Sequence, residues 1–126
     1  YVLSNAVYQS IRDCDMGKPD IVDWVFELEY EKLGLPRPTL NLFFDVDTDC
    51  AGRNVDKKGF REYVGSGRDA YESSISIQQR ARNKYIEIAE RYDDVEIIPC
   101  TENNAMRSPE SISENVMSIL RSRGLI

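Results

Sequence analysis

Apolar positions recur along this chain with two periods. Residues 4–12 predict a short helix, with Ser4 or Asn5 accepting from its first free amides. Asp13 to Lys18 is a polar break containing Gly17. Pro19 suits the first turn of a second helix, and Asp20 suits that helix's positively polarised end. Ile21, Val22, Val25, Phe26, Leu28 and Leu33 then recur at helical spacing, and Gly34 is a natural stop. Leu35-Pro36-Arg37-Pro38 cannot continue a helix, because proline lacks the amide hydrogen and fixes its own φ. Leu40 to Val46 (LNLFFDV) is a mostly apolar run, which predicts a strand buried on both faces. Thr48 suits the cap of a short helix toward Arg53. From Asp69 to about Tyr92 a long helix carries Ile77, Ala81, Tyr85 and Ile88 on one face. Val95 to Pro99 (VEIIP) predicts a second strand. Ser108 and Pro109 form a cap and first-turn proline, and Ile112, Val116, Ile119 and Leu120 line a last helix that runs to Gly124. Trp24 is expected in the core.

Strands alternating with helices imply parallel pairing and an α/β layer fold. Two strands make a parallel sheet too narrow to sandwich between helices, so part of the sheet is expected outside this chain. Between the first strand and the long helix, residues 54–68 lack apolar periodicity and hold Lys57, Lys58, Arg61, Arg68 and three glycines, which reads as a flap.

The chain has 126 residues, enough for one domain and too few for two. Hydrophobic residues are 41% and charged residues 30%, which excludes a disordered chain. No apolar run approaches the roughly 18 residues of a membrane span, and no signal-peptide pattern opens the chain. The net charge of -6 argues against nucleic acid or an anionic membrane as the main partner. Histidine is absent, which excludes Ser-His-Asp triads, Cys-His dyads and His-ligated metals. Cys14, Cys50 and Cys100 are far apart and odd in number, as expected of reduced thiols in a cytosol.

Two clusters carry candidate chemistry. Asp45-Val46-Asp47-Thr48-Asp49 begins like a calcium loop, but Cys50 stands where the sharp turn needs glycine. An apolar strand ending in Asp-x-Asp-x-Thr also resembles the haloacid dehalogenase pattern, with Asp45 as nucleophile and Asp47 as general acid; Asp93-Asp94 stands on the wrong side of a strand to complete it. The spacing fits the metal-binding Asp-x-Asp of a nucleotide-sugar transferase as loosely. The plain alternative is that Asp47 and Asp49 open a helix, where their charge helps. The second cluster is the basic flap, Arg53, Lys57, Lys58, Arg61 and Arg68, which suits phosphate because arginine grips phosphoryl oxygens in a forked geometry. A solvated surface loop is the alternative. The phosphate cradle G-x-x-x-x-G-K-[ST] occurs nowhere: Gly17-Lys18 is followed by Pro19.

The opening Tyr1-Val2-Leu3-Ser4-Asn5-Ala6-Val7-Tyr8-Gln9, the run from Leu28 to Asp47, and Arg68-Asp69-Ala70-Tyr71-Glu72 resemble the C-terminal two-thirds of bacterial-type thymidylate kinase. The resemblance implies part of a P-loop kinase fold, a five-stranded parallel sheet flanked by helices of which this chain holds the C-terminal two strands. It implies transfer of the γ-phosphoryl of ATP to thymidine monophosphate, with magnesium, giving the diphosphate for thymidine triphosphate synthesis. Ser4 and Asn5 would address the thymine edge. Tyr8 would pack against the deoxyribose, with Gln9 nearby, and Asp69, Tyr71 and Glu72 would line the acceptor side. Arg53, Arg61 and Arg68 would serve catalysis from a lid at about residues 53–68. No metal ligand falls in this chain: ATP and magnesium would be held mainly by an upstream P-loop segment or chain, so this chain alone would be inactive. A homodimer and a cytoplasmic location are further implications. The alternatives are a non-catalytic kinase-like subunit that binds a nucleotide or a partner, and the phosphatase that uses Asp45.

Overall fold

The computed structural model describes the backbone of residues 1–48 and 67–126, and the side chains of 1–48 and 76–126. Contacts divide the chain into two compact units, Tyr1–Asn41 with Ser76–Glu96, and Leu42–Ile75 with Ile97–Ile126. The expected α/β architecture is present, with a small parallel sheet flanked by helices. The described residues supply two parallel strands, which is compatible with part of a kinase fold. Among them no helix is long and apolar enough to cross a membrane.

The first unit begins with α1, Val2–Asp15, which is longer than the pattern predicted. Val2, Ala6, Val7, Ser10 and Ile11 form its buried stripe. Neither Ser4 nor Asn5 caps it. The Asn5 amide already donates to the Tyr1 carbonyl at 3.0 Å, because the apolar period that drives the helix starts at Val2. Its C-terminus is closed by backbone bonds that include Gly17 N to Cys14 O at 3.0 Å and Lys18 N to Asp13 O at 2.8 Å. Gly17 sits between them at φ 72°, a left-handed conformation that costs glycine nothing. α2, Val22–Phe26, starts later than Pro19 suggested. Asp20 Oδ1 accepts from the Val22 amide at 2.9 Å, and that local acceptor fixes where the helix begins. It runs on as a π-helical segment, Glu27–Lys32, closed by Leu33 N to Leu28 O at 2.8 Å, and Gly34 at φ 71° ends it as expected.

α3, Gly67–Arg91, is the long helix. Ala81 and Ile88 from it are buried in one cluster with Val7, Val22, Val25 and Phe26, and Tyr85 packs against that cluster. Ile77, expected on the same face, is 44% exposed, and Trp24, expected in the core, is 59% exposed. Each lies one turn beyond or beside the positions the cluster covers. Ion pairs stitch α3 to α1, to α2 and to the turn before α2: Arg80 to Asp15 at 2.6 Å, Arg91 to Asp23 at 2.8 Å and Lys84 to Asp20 at 2.8 Å. The Pro36–Pro38 linker is pinned through Arg37. Its guanidinium lies 4.8 Å from the centroid of the Tyr30 ring, and its Nε donates to Asp94 at 3.1 Å.

β1, Asn41–Asp45, pairs with β2, Val95–Pro99. Asn41 N bonds Asp94 O at 2.7 Å and Cys100 N bonds Asp45 O at 2.9 Å, so both numbers rise together and the strands run parallel. β1 is not buried on both faces: Phe44 is 49% exposed and its other positions are half-buried. An apolar run encodes the demand for cover on both faces, and the cover itself must come from other elements. A hairpin that the sequence reading passed over follows, β3 Thr101–Glu102 and β4 Ala105–Met106. Asn103 and Asn104 form its turn at φ 52° and 62°, the left-handed pair that a two-residue hairpin requires. α4, Pro109–Ser122, is capped as expected by Ser108, whose Oγ accepts from Ser111 N at 3.1 Å. Its apolar residues Ile112, Val116, Ile119 and Leu120 are only half-buried, and no residue of α4 is fully buried.

Two outcomes are expected. Ile88→Ala should cost about 2–5 kcal/mol in urea unfolding, and Ile77→Ala should cost clearly less; equal losses would place Ile88 outside the core. Burial alone would raise the Asp20 carboxyl, but hydrogen bonds from Lys84 and the Val22 amide, with the charges of Lys84 and Arg91, outweigh it and hold Asp20 below its ordinary range. A carboxyl lowered on folding contributes stability above its unfolded pKa and loses it as pH falls through the folded one. The urea midpoint should therefore drop below about pH 4, and Asp20→Asn should flatten that slope.

Candidate functional site

α1 turns about 100° per residue, so positions 4, 8, 5 and 9 follow one another within roughly 140° of its circumference. The buried stripe of Val2, Ala6, Val7, Ser10 and Ile11 takes up the rest. Ser4, Asn5, Tyr8 and Gln9 therefore share the face that core packing leaves outward. Ser4, Tyr8 and Gln9 are exposed and Asn5 is half-buried. The face carries one carboxamide from Asn5, a second from Gln9, two hydroxyls and an aromatic ring, with no charge among the four. Such a set suits the hydrogen-bonding edge and flat surface of an uncharged heterocycle.

A fifth residue joins this face that sequence reasoning did not assign to it. The Tyr85 hydroxyl of α3 lies 2.7 Å from Ser4 Oγ. Burial first, and then the neighbouring Tyr85 phenol, push the Tyr8 phenol above its ordinary value, so Tyr8 stays protonated at neutral pH. The signal was present in the sequence: a tyrosine on the apolar face of a helix brings a hydroxyl that needs a partner.

The other expected site residues do not fall in the same description. Arg53 and Arg61, and the lid as far as residue 66, lie outside the described residues. Arg68, Asp69, Tyr71 and Glu72 belong to the first turns of α3 by backbone, and their side chains lie outside the described set. Asp45 ends β1, where its carbonyl accepts from Cys100. Burial pushes the Cys100 thiol up, Arg107 pulls it down and Asp45 adds to the rise. Cys14 and Cys100 are both free thiols. Among the described residues no three His, Cys, Asp or Glu side chains converge to hold a metal ion.

A groove of about 200 Å³ lies between the C-terminal half of α1 and α3, lined by Ser10, Ile11, Cys14, Arg80, Asn83, Lys84 and Glu87. Its two cations are already engaged, Arg80 by Asp15 and Lys84 by Asp20 and Glu87. They offer an anion little that the protein does not already supply.

Over 89 residues, 71% of its length, the chain is 34% identical to thymidylate kinase of Mycobacterium tuberculosis, in strain CDC 1551 / Oshkosh and in strain ATCC 25618 / H37Rv. It spans 41% of the length of these curated relatives. No family model and no solved structure matches it. The similarity supports a thymidylate kinase-like chain.

Proposed function

We propose that this chain forms the acceptor side of a thymidylate kinase, which transfers the γ-phosphoryl of ATP to thymidine monophosphate. The observation that carries the proposal is the similarity to thymidylate kinase. The uncharged hydroxyl and amide face of α1 supports it from the side of chemistry. Phosphoryl transfer is largely positioning and charge stabilisation, so one part of such an enzyme must hold the acceptor base rigidly while another grips the triphosphate. In this reading Ser4 and Asn5 hydrogen-bond the thymine edge. Tyr8 packs against the deoxyribose, where a 2′-hydroxyl would crowd it, and Gln9 closes the side of the face. Asp69, Tyr71 and Glu72 line the acceptor side, and Arg53, Arg61 and Arg68 neutralise phosphoryl charge from the lid. ATP is gripped mainly by a P-loop in an upstream segment or partner chain, and magnesium supplies charge neutralisation there when bound. The half-covered faces of β1 and α4 fit a chain that works against further polypeptide. The complete enzyme is proposed to be a cytoplasmic homodimer.

The non-catalytic subunit and the Asp45 phosphatase draw no support from these relatives, which carry the name of a kinase. The test is coexpression of this chain with the region encoded upstream of it, followed by an assay of ATP-dependent conversion of thymidine monophosphate to the diphosphate. Turnover is expected, and Tyr8→Ala should raise the Michaelis constant for thymidine monophosphate about tenfold or more while that for ATP stays within about twofold. A folded complex without turnover would contradict the proposal.

A further inference from the structure

The proposed acceptor face gives Ser4 a role without saying what orients it. On that reading, we infer that Tyr85 is a positioning residue for nucleobase recognition: its hydroxyl holds the Ser4 hydroxyl in a fixed direction beside Tyr8. The geometry of the pair carries the argument. Ser4 Oγ of α1 meets the Tyr85 hydroxyl of another helix at 2.7 Å. The Tyr85 ring packs against the buried cluster that contains Val7, Val22 and Ile88, so the hydroxyl is presented from a rigid body.

A hydroxyl carries one proton and two lone pairs. Engagement by Tyr85 takes up one of these positions and removes the free rotation of the group. Ser4 is exposed, so its remaining capacity is open to a ligand. If Tyr85 donates, the Ser4 proton is left for a carbonyl of the base. If Ser4 donates, its lone pairs face a ring N–H. A pyrimidine with adjacent carbonyl and imide N–H groups satisfies either arrangement. Tyr8 is a neutral phenol beside this pair, so this side of the face carries no charge of its own. The pair therefore contributes to affinity for the base and not to the charge changes of phosphoryl transfer.

The test uses the chain coexpressed with the region encoded upstream, with thymidine monophosphate and ATP as substrates. Tyr85→Phe keeps the ring and deletes the hydroxyl. It should raise the Michaelis constant for thymidine monophosphate about three- to tenfold, the range that one neutral hydrogen bond carries, with kcat and the constant for ATP within about twofold. Ser4→Ala should produce a similar rise, and the double variant should be no worse than the more impaired single variant. Ser4→Thr retains the hydroxyl and should preserve the original constant. A Tyr85→Phe protein that melts earlier yet keeps the original constant for thymidine monophosphate would make Tyr85 merely a clamp between helices and overturn the inference alone. Lack of turnover in the folded, unsubstituted complex would overturn the proposed function and this inference with it.

Discussion

The first unit depends on one contact, the burial of the α1 stripe against α2 and α3. Ala6, Val7, Val22 and Ile88 have no exposed surface at all. Ala6 and Ala81 contribute small side chains to the cluster, which permits close approach of the helices that bear them. Burying one side of α1 commits the opposite side to solvent. Because successive residues differ by a fixed rotation, the core alone determines that positions 4, 5, 8 and 9 face outward together. The charged pairs of Arg80, Lys84 and Arg91 lie at the rim of this core. They add specificity of register more than stability, since they are partly exposed.

Much of this was legible in the sequence, and the remainder failed for identifiable reasons. VEIIP and the Ser108-Pro109 start were read correctly, because β-branched runs and a capping serine before proline act locally. Helix starts near residues 2 and 22 were misread. In both places the deciding factor was an interaction, burial of Val2 or the Asp20 carboxylate accepting from Val22, that residue preference does not encode. The Asn103-Asn104 hairpin was legible and passed over, since two asparagines tolerate the positive φ of its turn. The partial exposure of β1 was not legible, since an apolar run states what a strand needs and not what surrounds it. Of the proposed site, Ser4, Asn5, Tyr8 and Gln9 were reached by resemblance. Tyr85 was placed on an apolar helix face by its spacing, and only its contact across 81 positions of sequence separation reveals its tie to Ser4.

The second unit is physically different. Among its described residues only Ile98 and Cys100 are fully buried apolar groups, while Phe44, Met106, Met117, Leu125 and Ile126 stay substantially exposed. Arg107 does much of the local fastening. Its amide bonds the Cys100 carbonyl at 2.8 Å, and its guanidinium reaches Pro99, Ser111 and Asn115. Polar fastening of this kind positions a hairpin and a helix start, but it leaves apolar surface that further polypeptide would cover with profit to stability. That is the physical counterpart of proposing that the chain serves as one part of a larger kinase.

The central claim is that the outward face of α1 receives the acceptor base. Amide and side-chain NMR shifts, followed while thymidine monophosphate is titrated into the chain assembled with its upstream region, test it most directly. The account predicts that Ser4, Asn5, Tyr8, Gln9 and the Tyr85 ring shift together with one saturation curve. Saturable binding that moves residues elsewhere and leaves this face unchanged would contradict it.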